Sequence, residues 1–134
     1  MVCSEVVFSM QGNKIQSFTD LVAWQKAHAF VVNIYKILKD FPLHERYGLT
    51  SQMRRSAVSI TSNIAEGFSR SGKKEKSQFY AIAKGSLTEL QNQLLLARDV
   101  GYITKVSFSA LAEQSAEIGK LISGLQKSVI ARKA

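Results

Sequence analysis

Apolar residues recur at alternating steps of three and four along most of the chain, and nothing else in the sequence constrains the fold as strongly. Trp24, His28, Val31, Tyr35 and Leu38 form one series, with Phe30, Ile34, Ile37 and Phe41 in a seam beside it. Met53, Ala57, Ile60 and Ile64 form a second series, and Tyr80, Ala83, Leu87, Leu90, Leu94 and Ala97 a third. Phe108, Leu111, Ser115, Ile118, Ile122, Leu125 and Val129 form the fourth. A period near 3.6 puts each set on one face of an α-helix. No stretch shows the period of a half-buried strand.

Punctuation predicts the helix ends. Thr19 or Asp20 can cap a first helix that runs to Asp40, because Pro42, the sole proline, biases Phe41 out of the helical region. A second helix is expected from Thr50 or Ser51 to about Ser69, with fraying near Gly67. A third runs from Gly72 or Lys73 to Val100, where Gly101 supplies a left-handed stop. A fourth begins after Thr104 and reaches about Ile130. Short connections favour antiparallel neighbours, so the fold class is all-α, an up-and-down antiparallel four-helix bundle. The bundle domain takes residues 18–134; residues 1–17, which carry no period, read as a flexible N-terminal arm. A chain of 134 residues is one domain's worth and buries enough surface to need no staple.

Residue chemistry argues against catalysis. Cys3 is the only cysteine, and His28 and His44 are the only histidines. That excludes a disulfide framework and a cysteine-only metal site. Di-iron bundles need a Glu-x-x-His pair, and neither histidine lies three residues after a glutamate. His28 falls on an apolar seam and reads as a core or interface residue. There is neither a Gly-x-Ser-x-Gly elbow nor a glycine-rich phosphate loop. The expectation is a protein that is not an enzyme, with no metal and no cofactor. No apolar run is long enough to span a bilayer, and Met1–Met10 lacks the basic start of a signal peptide, so a cytoplasmic location is expected.

Charge points to an acidic partner. Eighteen Lys and Arg against ten Asp and Glu leave a formal net charge of +8. The densest runs are Arg54-Arg55, then Arg70 with Lys73, Lys74 and Lys76, and finally Arg132-Lys133. Three lysines at a helix start oppose the macrodipole, by about tenths of a kcal/mol each at an exposed site. A phosphate bound there would remove the conflict, since free N–H groups and cations converge on it. Arg54, Arg55, Arg70, Lys73, Lys74 and Lys76 are therefore the candidate nucleic-acid contacts. Phosphate contact is expected to dominate over base stacking, because the aromatic residues lie mostly on apolar seams. The polar line Arg55, Ser59, Ser62 and Glu66, with Asn63 beside it, also has a structural reading. In that reading Asn63 and Glu66 belong to an interhelical hydrogen-bond network. The apolar face of the first helix, with Trp24, Phe30 and Tyr35, is wide enough for both a core and a subunit contact.

These residues form a pattern. Phe18, Leu21, Trp24-Gln25-Lys26, Tyr35, Phe41-Pro42, Glu45 and Tyr47-Gly48-Leu49 make its first run. Gln52, Arg54-Arg55, Ser59-Ile60 and Asn63-Ile64-Ala65-Glu66-Gly67 follow, then Phe79, Ala83, Gly85-Ser86, Glu89-Leu90 and Gly101-Tyr102-Ile103. Over about residues 18–125 the chain resembles the bacterial four-helix bundle proteins related to reading frames in intervening sequences of large-subunit ribosomal RNA genes. The resemblance implies a ring-like homopentamer. The family is similar in fold to the accessory variability determinant of diversity-generating retroelements, a basic pentamer that binds nucleic acid and partners a reverse transcriptase. It thus implies an oligomer that binds nucleic acid, RNA ahead of DNA, or alternatively a scaffold that recruits a protein such as a reverse transcriptase.

Overall fold

Four α-helices follow one another: α1 (Val22–Leu38), α2 (Leu49–Ser69), α3 (Lys73–Asp99) and α4 (Lys105–Ala131). Short 3-10 turns at Phe18–Asp20 and Leu43–Glu45 precede α1 and α2. The computed structural model describes residues 14–131, and among these there is no strand. Most of the expected N-terminal arm, including Cys3, and the Arg132-Lys133 pair lie outside the described residues.

Each helix packs against the next, and α4 returns to α1, closing a four-membered ring of neighbours. Side-chain pairs give the directions. Arg55 meets Glu89 and Ser59 meets Ser86, so α2 and α3 run opposite ways. Lys84 meets Ser123 and Gln91 meets Ser115, so α3 and α4 do the same. The apolar seams meet inside: Phe30, Ile34, Met53, Ile60, Ile64, Leu90, Leu94, Ile118 and Ile122 are fully buried. Each such side chain contributes roughly 1.5–3 kcal/mol by leaving water. Of the core and interface readings for His28, the core one fails: it is exposed, and its ring stacks on Trp24 at 4.7 Å between centroids.

The helix starts differ from expectation for identifiable reasons. The Asp20 carboxylate accepts from the backbone N–H of Ser17 (3.1 Å) and Gln16 (2.7 Å), completing a capping box on the 3-10 turn. Its oxygen faces backwards, so α1 begins only at Val22. At α2 the Glu45 carboxylate reaches the Leu49 N–H (3.0 Å) from outside the helix. Thr50, expected as a cap, is instead buried inside the first turn, its hydroxyl without a partner.

Two glycines are structural. Gly101 has φ +86°, and the Tyr102 N–H donates to the Ala97 carbonyl (2.9 Å) while the Gly101 N–H donates to Arg98 (3.1 Å). This is the left-handed stop the sequence predicts for α3. The end of α2 falls at Ser69, where the sequence predicts it, two residues past Gly67. A Cβ at Gly67 would come within 2.6 Å of the buried Tyr80 ring, so the glycine lets α2 and α3 approach.

Candidate nucleic-acid interface

The two ends of the bundle differ. At one end the α1–α2 and α3–α4 connections meet, joined by the Tyr102 hydroxyl, which donates to Glu45 at 2.7 Å. The Phe41 and Tyr102 rings pack at 5.3 Å, and His44 Nε2 lies 3.2 Å from the same hydroxyl. Two donors hold the Glu45 carboxyl below its ordinary range, the Leu49 N–H first and the Tyr102 hydroxyl second. The bond to Glu45 pushes the Tyr102 phenol the other way, upward. At the opposite end lie the α2–α3 connection, the Phe18–Asp20 turn and the last turns of α4. A groove of about 470 Å³ there is lined by Leu21, Phe68, Lys76, Tyr80, Leu125 and Val129, among others.

Most of the basic run at that second end is already engaged. The Lys76 ammonium donates to the carbonyls of Phe68 (2.7 Å) and Gly67 (3.2 Å). It thus satisfies the last carbonyls of α2, where the macrodipole favours a cation. Arg70 pairs with Glu66 at 2.7 Å one turn back, and its guanidinium lies over the Phe79 ring at 4.8 Å. Lys73 and Lys74 differ: both are exposed, in a first turn whose N-cap, Gly72, offers no side-chain acceptor. The backbone N–H groups of that turn and two free ammonium groups therefore share one corner of the molecule.

The α2 cations sit elsewhere. Arg55 donates to Gln52 (2.8 Å) and to Glu89 of α3 (2.9 Å). Both partners of that ion pair are well over a third exposed, at 60% and 41%, so it is worth about 0.2–1 kcal/mol, and an incoming phosphate can compete for the arginine. Arg54 is exposed, with its guanidinium carbon 5.7 Å from the centroid of Tyr35.

The remaining sequence candidates separate. Asn63 donates to the Ser59 carbonyl (2.8 Å) and hydroxyl (3.0 Å), and Ser59 meets Ser86 of α3 at 2.7 Å. Glu66 is not in that network; it faces outward to Arg70. Trp24 and Phe30 are buried within the chain itself, while Tyr35 is half exposed on α1. Tyr47, which enters the sequence pattern without a role, is 87% exposed beside the exposed Arg46. The available signal was its position in a connection, off every apolar seam. Among the described residues no three His, Cys, Asp or Glu side chains group as metal ligands would, and no helix is long and apolar enough to cross a membrane.

Together these features define an all-helical four-helix bundle with basic side chains at both ends and no metal-ligand cluster among its described residues. Residues 19–124 match the family described as 23S rRNA-intervening sequence protein, and the chain belongs to that family. The resemblance read from the residues and this match agree. The chain is also similar to the crystal structure of a protein of unknown function from the S23 ribosomal protein family of Bacteroides thetaiotaomicron VPI-5482. Identity there is 26% and the TM-score 0.74, over 79% of this chain and 96% of that one. No curated protein matches.

Proposed function

We propose that this protein is a non-enzymatic, oligomeric nucleic-acid-binding protein that contacts phosphates, with structured RNA as its ligand ahead of DNA. The observation that carries this reading is the placement of Lys73 and Lys74. They are exposed and free of internal partners, at an uncapped helix start where cations oppose the dipole. A bound phosphate would satisfy the N–H groups and both ammonium groups at once. The net charge of +8 and membership of a family named for an rRNA intervening sequence support the same reading. Assembly as a homopentamer is part of the proposal, supported by the exposed apolar residues Ile82, Leu95 and Leu96 along α3 and Val100 at its C-cap. The same residues favour the second reading, a scaffold that recruits a protein such as a reverse transcriptase. A cytoplasmic location fits either.

The test is binding of a structured RNA and of duplex DNA across a salt series. Log affinity is expected to fall linearly with log salt, and RNA is expected to bind more tightly. Reversing Lys73 and Lys74 to glutamate is expected to lower the salt slope by about 1 per lysine. No binding of either nucleic acid at low salt would overturn this reading and leave the scaffold, whose protein complex would tolerate salt.

A further inference from the structure

We propose that the turn carrying Arg46 and Tyr47 is a base-stacking site, in which Tyr47 takes an unpaired nucleobase of the RNA and Arg46 its flanking phosphate. The proposal rests on the nucleic-acid reading above and adds a second contact at the other end of the bundle. Its starting point is the aromatic side chains. Among the described Phe, Tyr and Trp residues, every other side chain is at most 39% exposed, a value reached by Tyr35, whereas Tyr47 is 87% exposed. Leu43, three residues earlier than Arg46, is 81% exposed.

Exposure on a loose loop would mean little, but this turn is held firmly. The Glu45 N–H donates to Pro42 (3.0 Å), Arg46 to Leu43 (3.1 Å) and Gly48 to Glu45 (3.0 Å). The Glu45 carboxylate ties the turn to α2 through Leu49 and to the α3–α4 connection through Tyr102. Buried Phe41 anchors its start. The ordering cost of presenting Tyr47 is therefore met within the fold rather than at binding.

Charge and shape select the occupant. Lys39, Arg46 and Lys105 are exposed at this end without an ion pair among the described residues. Of the acids here, Glu45 is held by its two donors and Asp99 by Arg98 at 2.8 Å, leaving Asp40. The cationic surround fits phosphate. Side chains this exposed stand out from the surface, which suits the flat face of a splayed-out base. The 27 residues of α3 separate this turn from Lys73 and Lys74 by roughly 40 Å, so the two contacts act independently.

The experiment compares an RNA hairpin bearing an unpaired loop with a fully paired RNA of equal charge, by fluorescence anisotropy. Tyr47→Ala is expected to weaken hairpin binding about tenfold and leave the paired RNA unchanged. Tyr47→Trp is expected to keep hairpin affinity, with its emission quenched as the hairpin is added, while Trp24 stays buried at 8% exposure. The thermal midpoint of both variants should match that of the parent, since Tyr47 is 87% exposed. Unchanged hairpin affinity in Tyr47→Ala, or equal loss for both RNAs, overturns the stacking site and leaves the phosphate reading standing. Failure of both RNAs to bind at low salt overturns both readings. Loss of the oligomer in Tyr47→Ala assigns the turn to a subunit contact and also overturns the proposal.

Discussion

Glu45, on the α1–α2 connection, accepts hydrogen bonds from the first residue of α2 and from Tyr102 on the α3–α4 connection, so one carboxylate ties together this end of the bundle. Its lowered pKa has a direct consequence. A carboxyl that ionises more readily in the folded chain than the ordinary value near 4.3 contributes stability above that pH and loses it as pH falls through the folded value. Tyr102 behaves in the opposite sense. Its raised pKa means that the protonated phenol is favoured by folding, so its contribution holds below about pH 10 and is lost as pH rises through the folded value. Tyr102→Phe is expected to lower the thermal midpoint at neutral pH and to flatten both limbs of the stability profile, the acid limb only in part because the Leu49 bond remains. Melting curves across a pH series check this; an unchanged alkaline limb would show that the bond does no such work. Sequence reasoning had both residues in its family pattern without a role for either. The partners are separated by 57 positions, and no local rule connects them.

At the level of elements, the helices were legible because a period of three and four is a property of each segment alone. Which cations are free was not, because that depends on neighbours brought in by packing. Lys73, Lys74 and Lys76 look equivalent in the sequence. Only the fold turns Lys76 onto the end of α2 and leaves the other two in solvent. The distinction is measurable. Glutamate at positions 73 and 74 would favour the α3 dipole, so the double variant is expected to gain about 0.3–1 kcal/mol of stability while binding RNA less well. Lys76→Glu is expected to lower the midpoint instead, because it sets a carboxylate against the α2 carbonyls. Chemical denaturation of the three variants separates the cases. Gly67 teaches the same lesson. By propensity, alanine there would stabilise α2 by up to about 1 kcal/mol. The Tyr80 ring at 2.6 Å reverses that sign, since overpacking a core costs about 1–3 kcal/mol, and Gly67→Ala is expected to be destabilising overall. A gain in denaturation midpoint would mean that Tyr80 yields without cost.

At the level of the whole molecule, charge links assembly to ligand. If the chain assembles as the proposed pentamer, five protomers of +8 carry +40, and a ring of that charge repels itself. Salt then acts on the two equilibria with opposite signs. Screening shortens the reach of repulsion between subunits to about 10 Å at 0.1 M, which strengthens the ring. The same salt removes the counterion-release advantage of phosphate contact, which weakens RNA binding. Between about 50 and about 200 mM salt, sedimentation of the free protein is therefore expected to shift towards the larger species. Addition of structured RNA at the lower salt is expected to restore the oligomer, because the ligand supplies the neutralising charge that salt supplied before. Reversing Lys73 and Lys74 lowers the protomer charge by four. It should thus make the free ring less dependent on salt and at the same time weaken its response to RNA. A ring whose stability ignores both salt and RNA would place its subunit contacts beyond the reach of these charges. Its apolar surface along α3, with Ile82 and Leu96, and Val100 at the α3 C-cap, would then carry the assembly alone.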